Sequence, residues 1–295
     1  MIFYFIVKML GIFEMRKLIP KNYDEKEFDS LTNEKSRIKA DIINIKKRFQ
    51  DFEVNKYKLE NLKQQYIKPK KCKDIDDLAC DLYKLYDSIN DGFKEEIRKI
   101  SGDVCPYCGI DRPSHLDHFI PRAKFPEFSI YSPNLIYVCS VCNSKYKGEK
   151  ILNSKGERIF FNPYFDNFIE TIQFLKCRII VNDIYPKFEF YIEDLSKTNF
   201  YEYTIMKNHF EAMNLKINYM NQIVNQKFKK FKNEYIDKKS RTYYETSMDE
   251  IKRDIDKKIR GYQDENINNW EKVFWKSLKE SDESLNLIIN KVIPI

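Results

Sequence analysis

Glycine and proline are scarce in this chain, with seven and ten among 295 residues. That excludes collagen-like and Gly/Pro-rich disordered chains, and with 33% of residues charged it points to a mainly helical, water-soluble protein. No apolar run is long enough to span a bilayer. The opening stretch MIFYFIVKMLGIF is short and interrupted by Lys8, and no small-residue cleavage site follows it. It reads either as a genuine N-terminal strand or helix, or as sequence upstream of a translation start at Met15. Seven cysteines are an odd number, and without a secretion signal they argue against a disulfide framework and for a reducing, cytoplasmic setting. Cys72, Cys80 and Cys177 share no spacing and are read as buried or incidental thiols. Excess charge is modest at +7, which suits a polyanionic partner but equally suits ordinary solubility.

What the chain does have is periodic apolar sequence. Ile38, Ile42, Ile45, Phe49, Phe52, Leu59 and Tyr66 form a stripe that predicts a long helix over 30–66, although Lys56 and Lys63 break it. Leu78, Leu82, Leu85 and Ile89 predict one or two helices over 74–100. Alternation in RIFF, TIQFLKCRIIV and KFEFYI predicts two or three short strands within 158–193. Apolar residues from Met206 to Tyr235 recur every three or four positions and predict a second long helix over 203–237, with shorter helices near 245–260 and 265–280. The run from Lys227 to Lys232 could touch phosphates, or be a solvated helix face. Three regions are expected: helical residues 1–100, a module over 101–170, then short strands and helices over 171–295.

Composition changes at Ser101-Gly102-Asp103. Cys105-Pro106-Tyr107-Cys108 and Cys139-Ser140-Val141-Cys142 follow as two C-x-x-C knuckles. Two residues between cysteines let both thiolates face one ion, and four thiolates complete a zinc tetrahedron with no open position. Cys105, Cys108, Cys139 and Cys142 therefore predict a structural zinc that supplies folding energy to a segment too small for its own core. A thioredoxin-like redox site needs one pair rather than two.

Between the knuckles lie His115-Leu116-Asp117-His118-Phe119-Ile120-Pro121 and Asn134-Leu135-Ile136-Tyr137-Val138, and the second knuckle runs on into Asn143-Ser144-Lys145-Tyr146-Lys147-Gly148. Over 105–148 this pattern resembles the zinc-containing HNH endonuclease family. The resemblance implies a ββα-metal core flanked by long helices, hence a mainly α chain with a small α+β module. It implies Asp117 and Asn143 as ligands of one catalytic divalent metal, His118 as general base, and Asn134 as the residue fixing the loop that orients His118. The final family position is often His; Asn143 makes an H-N-N variant, whose oxygen donors favour Mg²⁺ or Mn²⁺.

The chemistry agrees with the residue types. Phosphodiester hydrolysis needs an activated water and a stabilised leaving oxygen, which a neutral imidazole and a hard cation supply. Asp117 and His118 are adjacent, so on a regular strand they would face opposite ways; a twist or bulge is expected there. The family usually has a lysine three residues after the last Asn. Here that position is Tyr146, leaving Lys145 and Lys147 as nucleic-acid contacts. His115 and His209 are read as structural or surface residues, and Asp166 as part of a turn closing the module. The expected activity is DNA cleavage to a 5′-phosphate and a 3′-hydroxyl. Similarity to Septu- and retron-type effectors implies an anti-phage role beside an ATPase or sensor protein. Other classes compatible with the cysteines are a zinc module that binds nucleic acid or protein without cutting, and a redox or zinc-storage protein.

Overall fold

A computed structural model describes residues 17–33, 35–72, 77–181, 186–235, 246–262 and 266–289. The two readings of the N-terminal stretch and of Met15 lie outside these residues. Among the described residues the chain is mainly helical with two small antiparallel sheets, and it divides into two compact units. The first runs through Phe168 and adds Thr204–Met213; the second comprises Ile169–Tyr203 and the chain from Asn214 onward. The helices before Ser101 and the module after it thus belong to one unit.

In the first unit, α1 (Glu25–Thr32), α2 (Ser36–Ala40) and α3 (Ile42–Asn55) replace the single helix expected over 30–66. No proline or glycine causes the interruptions. The α2 helix ends at Asp41, whose backbone N–H turns back to the Ile38 carbonyl at 3.1 Å, and α3 starts in the next residue. The expected stripe still faces inward. Ile45, Phe49 and Phe52 are buried, and Phe49 stacks on Tyr131 at 4.4 Å while Phe52 meets Phe128 edge-on at 5.3 Å. Each such ring contributes roughly 1.5–3 kcal/mol by leaving water. Arg48 and Glu127 form a buried ion pair at 3.0 Å, and Arg48 also donates to the Lys63 carbonyl. These contacts tie α3 to the loop that carries the candidate site.

Helix α4 (Leu78–Lys84) begins where Asp77 Oδ1 accepts from Cys80 N, and α5 (Asp91–Ser101) where Asn90 Oδ1 accepts from Phe93 N. Helix α5 stops at Gly102, whose φ of 67° favours glycine. Between α4 and α5 lies a 3₁₀ turn, Leu85–Ser88. A disulfide joins Cys72 and Cys80, which corrects the reading of both as free thiols. Their Cα atoms lie 5.4 Å apart, a normal bridging distance that the eight-residue sequence separation does not announce. Strands β1 (His115–His118) and β2 (Leu135–Val138) pair antiparallel, His115 opposite Val138 and His118 opposite Leu135. After β2 comes α6 (Val141–Lys147), a π-helical segment in which Gly148 N–H reaches the Asn143 carbonyl five residues back, at 2.8 Å.

The second unit is built on a hairpin of β3 (Leu175–Val181) and β4 (Pro186–Ile192), in register from Leu175 opposite Ile192 to Val181 opposite Pro186. The RIFF segment forms no strand; Arg158 makes only an isolated bridge with Leu152. Phe188 and Phe190 are buried while Lys187 and Tyr191 on either side face out; Glu189 between the two rings is covered by its ion pairs with Arg178 and Lys216. Phe188 packs on Phe274 of the helix Trp270–Glu280, and Phe190 on Tyr219 of the helix Leu215–Gln222. Asn268 fixes the start of the hairpin: its Oδ1 accepts from Phe174 N and Leu175 N, and its Nδ2 donates to the Ile169 and Ile172 carbonyls. The expected long helix over 203–237 is broken after Phe200–Ala212, because Asn214 takes a left-handed φ of 52°. The helix Met248–Arg260 starts with a reciprocal Ser247–Glu250 capping box.

Candidate active site and cysteine cluster

The four cysteines of the two knuckles converge. The Sγ atoms of Cys105, Cys108, Cys139 and Cys142 all lie within 4.8 Å of one another, and all four residues are buried. Zn–S bonds of about 2.3 Å put the corners of a tetrahedron roughly 3.8 Å apart, so small inward shifts complete a zinc site. The backbone is already shaped for it. Gly109 at φ 64° lets its N–H return to the Cys105 carbonyl at 2.8 Å, and Cys142 N–H points at Cys139 Sγ at 3.4 Å. Hydrogen bonds among the thiols hold Cys139 below the usual thiol range and push Cys108 and Cys142 above it. Four sulfurs competing for protons in a buried space form a donor set suited to a soft cation.

Beside this cluster stands Asp117, which is almost fully buried. Its Oδ2 accepts from the Tyr107 hydroxyl at 2.8 Å, and its Oδ1 from Lys147 Nζ at 2.9 Å. Tyr107 lies inside the first knuckle and Lys147 ends α6, which grows out of the second. The carboxylate is therefore held by one group from each half of the cluster. Burial and the neighbouring Asp117 charge push the Tyr107 phenol well above its ordinary value, so the hydroxyl stays a donor. Lys147, expected on phosphate, is instead fully buried; its ammonium also donates to the His118 carbonyl at 2.8 Å. A buried ammonium requires such partners, and they turn this lysine inward. Lys145 is exposed.

His118 Nε2 lies 2.8 Å from the Ser129 carbonyl. A carbonyl only accepts, so Nε2 carries the proton and Nδ1 keeps the lone pair. Burial lowers the pKa of the imidazole to about 3, with the Arg122 and Lys147 charges adding to the effect. At neutral pH the ring is uncharged. Tyr86 packs edge-on against it at 4.8 Å.

Asn134 is fully buried outside the cleft. Its Oδ1 accepts from Ile120 N at 2.8 Å, and its Nδ2 donates to the Ile120 and Phe128 carbonyls. It closes the loop that brings the Ser129 carbonyl to His118. Of the twist or bulge expected at Asp117-His118, the bulge is absent: β1 pairs regularly to its end at His118. Both side chains nevertheless line one cleft of about 310 Å³, together with the half-buried Asn143. His118 is the last paired residue, so the chain can turn there without a bulge.

The remaining expectations fall elsewhere. His115 is exposed and contacts the Ser114 hydroxyl at 2.9 Å. Asp166 is paired with Arg158 in the interior. His209 is buried against Tyr107, Phe160 and Phe161, with Nε2 at 2.8 Å from the Tyr107 carbonyl, and burial lowers its pKa to about 4. Sequence reasoning missed Tyr107, which looked like a spacer, and the group of Tyr83, Tyr86 and Arg122 that lines the same cleft. An arginine directly after Pro121 was the available signal for the last.

Among the described residues no helix is long and apolar enough to cross a membrane. No family model matches the chain, and no solved structure does. Over 67 residues the chain is 39% identical to a protein named ea31 of Escherichia phage lambda, a stretch that makes up 22% of each chain. The chain thus spans about a fifth of the length of this curated relative.

Proposed function

We propose that this protein is a metal-dependent endonuclease of the HNH type that hydrolyses phosphodiester bonds in DNA. The observation that carries the reading is the cleft shared by Asp117, His118 and Asn143, in which the Ser129 carbonyl fixes the tautomer of His118. A neutral imidazole with a free Nδ1 lone pair can accept a proton, but burial makes it a weak base, so it would need a water acidified by a bound cation. Asp117 and Asn143 offer oxygen donors to a hard cation; Tyr107 and Lys147 each use one lone pair of the carboxylate and leave others. Mg²⁺ or Mn²⁺ held there would neutralise the leaving oxygen. Asn134 keeps the loop behind His118 in place, and Tyr107 and Lys147 keep Asp117 from rotating. The zinc assigned to the four cysteines is structural in this reading.

A second reading rests on the same ion pair. Lys147 already neutralises Asp117 without a metal, as it would in a zinc module that binds nucleic acid or a protein without cutting. Purified protein mixed with supercoiled plasmid and Mg²⁺ or Mn²⁺ separates the two. Nicking that EDTA blocks, and that His118→Ala reduces by about a hundredfold or more with zinc content unchanged, supports the nuclease. Nicking by His118→Ala at the wild-type rate removes this mechanism. An anti-phage role beside an ATPase or sensor belongs to the same proposal; its sign would be cutting that needs neighbouring gene products.

A further inference from the structure

Arg122 lines the cleft and is held in an unusual way. Its guanidinium lies over the rings of Tyr83 and Tyr86, at 4.2 and 4.5 Å from their centroids. One nitrogen, Nη1, donates to the Tyr83 carbonyl at 3.0 Å and stands 3.5 Å from Asp87 Oδ1. Asp87 is mostly exposed, so that ion pair is screened and weak. Two aromatic faces and one carbonyl thus fix the plane of the guanidinium, while among the described residues Nε and Nη2 stay available. A fixed fork with two free donors matches a phosphate. The same Tyr86 ring that supports Arg122 also packs on His118, so the fork and the imidazole share one support.

A second cleft of about 400 Å³ adjoins the first, the two sharing Ser144, Gly148 and Glu149. It is lined by Lys124, Lys145 and Lys150, all exposed. Among the described residues none of these three lysines is ion-paired with a carboxylate; Lys150 reaches only the Tyr146 carbonyl. Glu149, at the junction, is the acidic exception.

We infer that the two clefts form one track for a DNA sugar-phosphate backbone, with Arg122 on its Tyr83/Tyr86 platform gripping a phosphate at one end and Lys124, Lys145 and Lys150 following the strand at the other. The inference rests on the nuclease reading of the cleft and names how the substrate lies in it. Arg122 is a binding residue here, and Tyr83 and Tyr86 position it.

Binding can be measured apart from cutting. In a His118→Ala background, fluorescence anisotropy with a short labelled DNA duplex over a salt series gives affinity and salt slope. Arg122→Gln should weaken binding about tenfold and lower the log–log salt slope by about 0.9, as for one lost phosphate contact. Tyr86→Leu should give a smaller loss, because the charge stays but its plane is freed. Lys124→Gln with Lys150→Gln should lower the slope further, and Lys187→Gln on β4 should change nothing. Zinc content and thermal melting accompany each variant. If Arg122→Gln does not fold, the exposed lysine variants carry the test. Unchanged affinity and slope in the Arg122 and lysine variants would overturn the track. Weakened binding without any nicking by the wild-type protein, alone or with its neighbouring gene products, would uphold the track and sink the nuclease instead.

Discussion

His209 shows how much of this chemistry depends on single buried side chains. Its ring is enclosed by aromatic residues and kept neutral, and its Nε2–H supports the carbonyl of Tyr107, whose hydroxyl in turn holds Asp117. In the unfolded chain a histidine titrates near 6.5, whereas here its pKa is lowered to about 4. As pH falls below about 6.5 the unfolded state takes up the proton first, so stability is full above that value and is lost on the way down to about 4. The loss amounts to about 3 kcal/mol. Urea unfolding at a series of pH values should show it, and His209→Gln should roughly halve the dependence over this window, the remainder coming from His118, whose pKa is lowered to about 3. An equally steep dependence in the variant would place its origin in other groups. Residues of this kind were only partly legible in the sequence. Asp117, His118, Asn134 and Asn143 stood out because their types and order were informative. Tyr107 did not, because a residue inside C-x-x-C counts as spacing until its hydroxyl is seen on a carboxylate.

At the scale of elements, apolar periodicity identified the buried faces and failed at the ends. Ile45, Phe49 and Phe52 face inward as their spacing requires, yet the helix around them is cut at positions with no proline or glycine. Breaks set by tertiary packing leave little local trace; Asn214 is a partial exception, since Asn tolerates the left-handed region. The small sheet and α6 were legible through the cysteines, because a four-ligand site dictates where two knuckles must meet. In the proposed reading, holding these short elements depends on a zinc at the four cysteines. Stripping zinc with a strong chelator should release one zinc per chain and unfold the β1–β2–α6 segment, seen as lost amide-exchange protection there. Cys139→Ser should do the same without chelator. Persisting protection after complete zinc loss would mean that the aromatic packing from α3 suffices.

For the whole molecule, the seven cysteines sort into three fates: four in the cluster, Cys72 and Cys80 in a disulfide, and Cys177 buried by itself. Cys177 has its thiol pushed up to about 12 by burial, so it reacts slowly in the folded chain. Thiol titration in denaturant with chelator should therefore count five groups before reduction, the five free cysteines, and all seven afterwards. Seven before reduction would show that Cys72 and Cys80 are not joined in the purified protein. The count of cysteines alone could not give this division, since the Cys72–Cys80 spacing resembles no framework. Net charge was equally blunt: +7 spread over the chain said little, while the grouping of Arg122 with Lys124, Lys145 and Lys150 along adjoining clefts supports the proposed backbone track.

The wide turn of α6 sets how this segment tolerates a change of length. A π-helical turn closes its hydrogen bonds five residues back, one residue more than an α-helical turn. Lys147, four residues past Asn143, is thereby brought round to Asp117 and the His118 carbonyl. Removing one residue between Asn143 and Lys147 would tighten the turn to the α-helical count and leave the ammonium on nearly the same side, whereas adding one would turn it away. Spacing across this segment is a property of its winding and not of a fixed residue count.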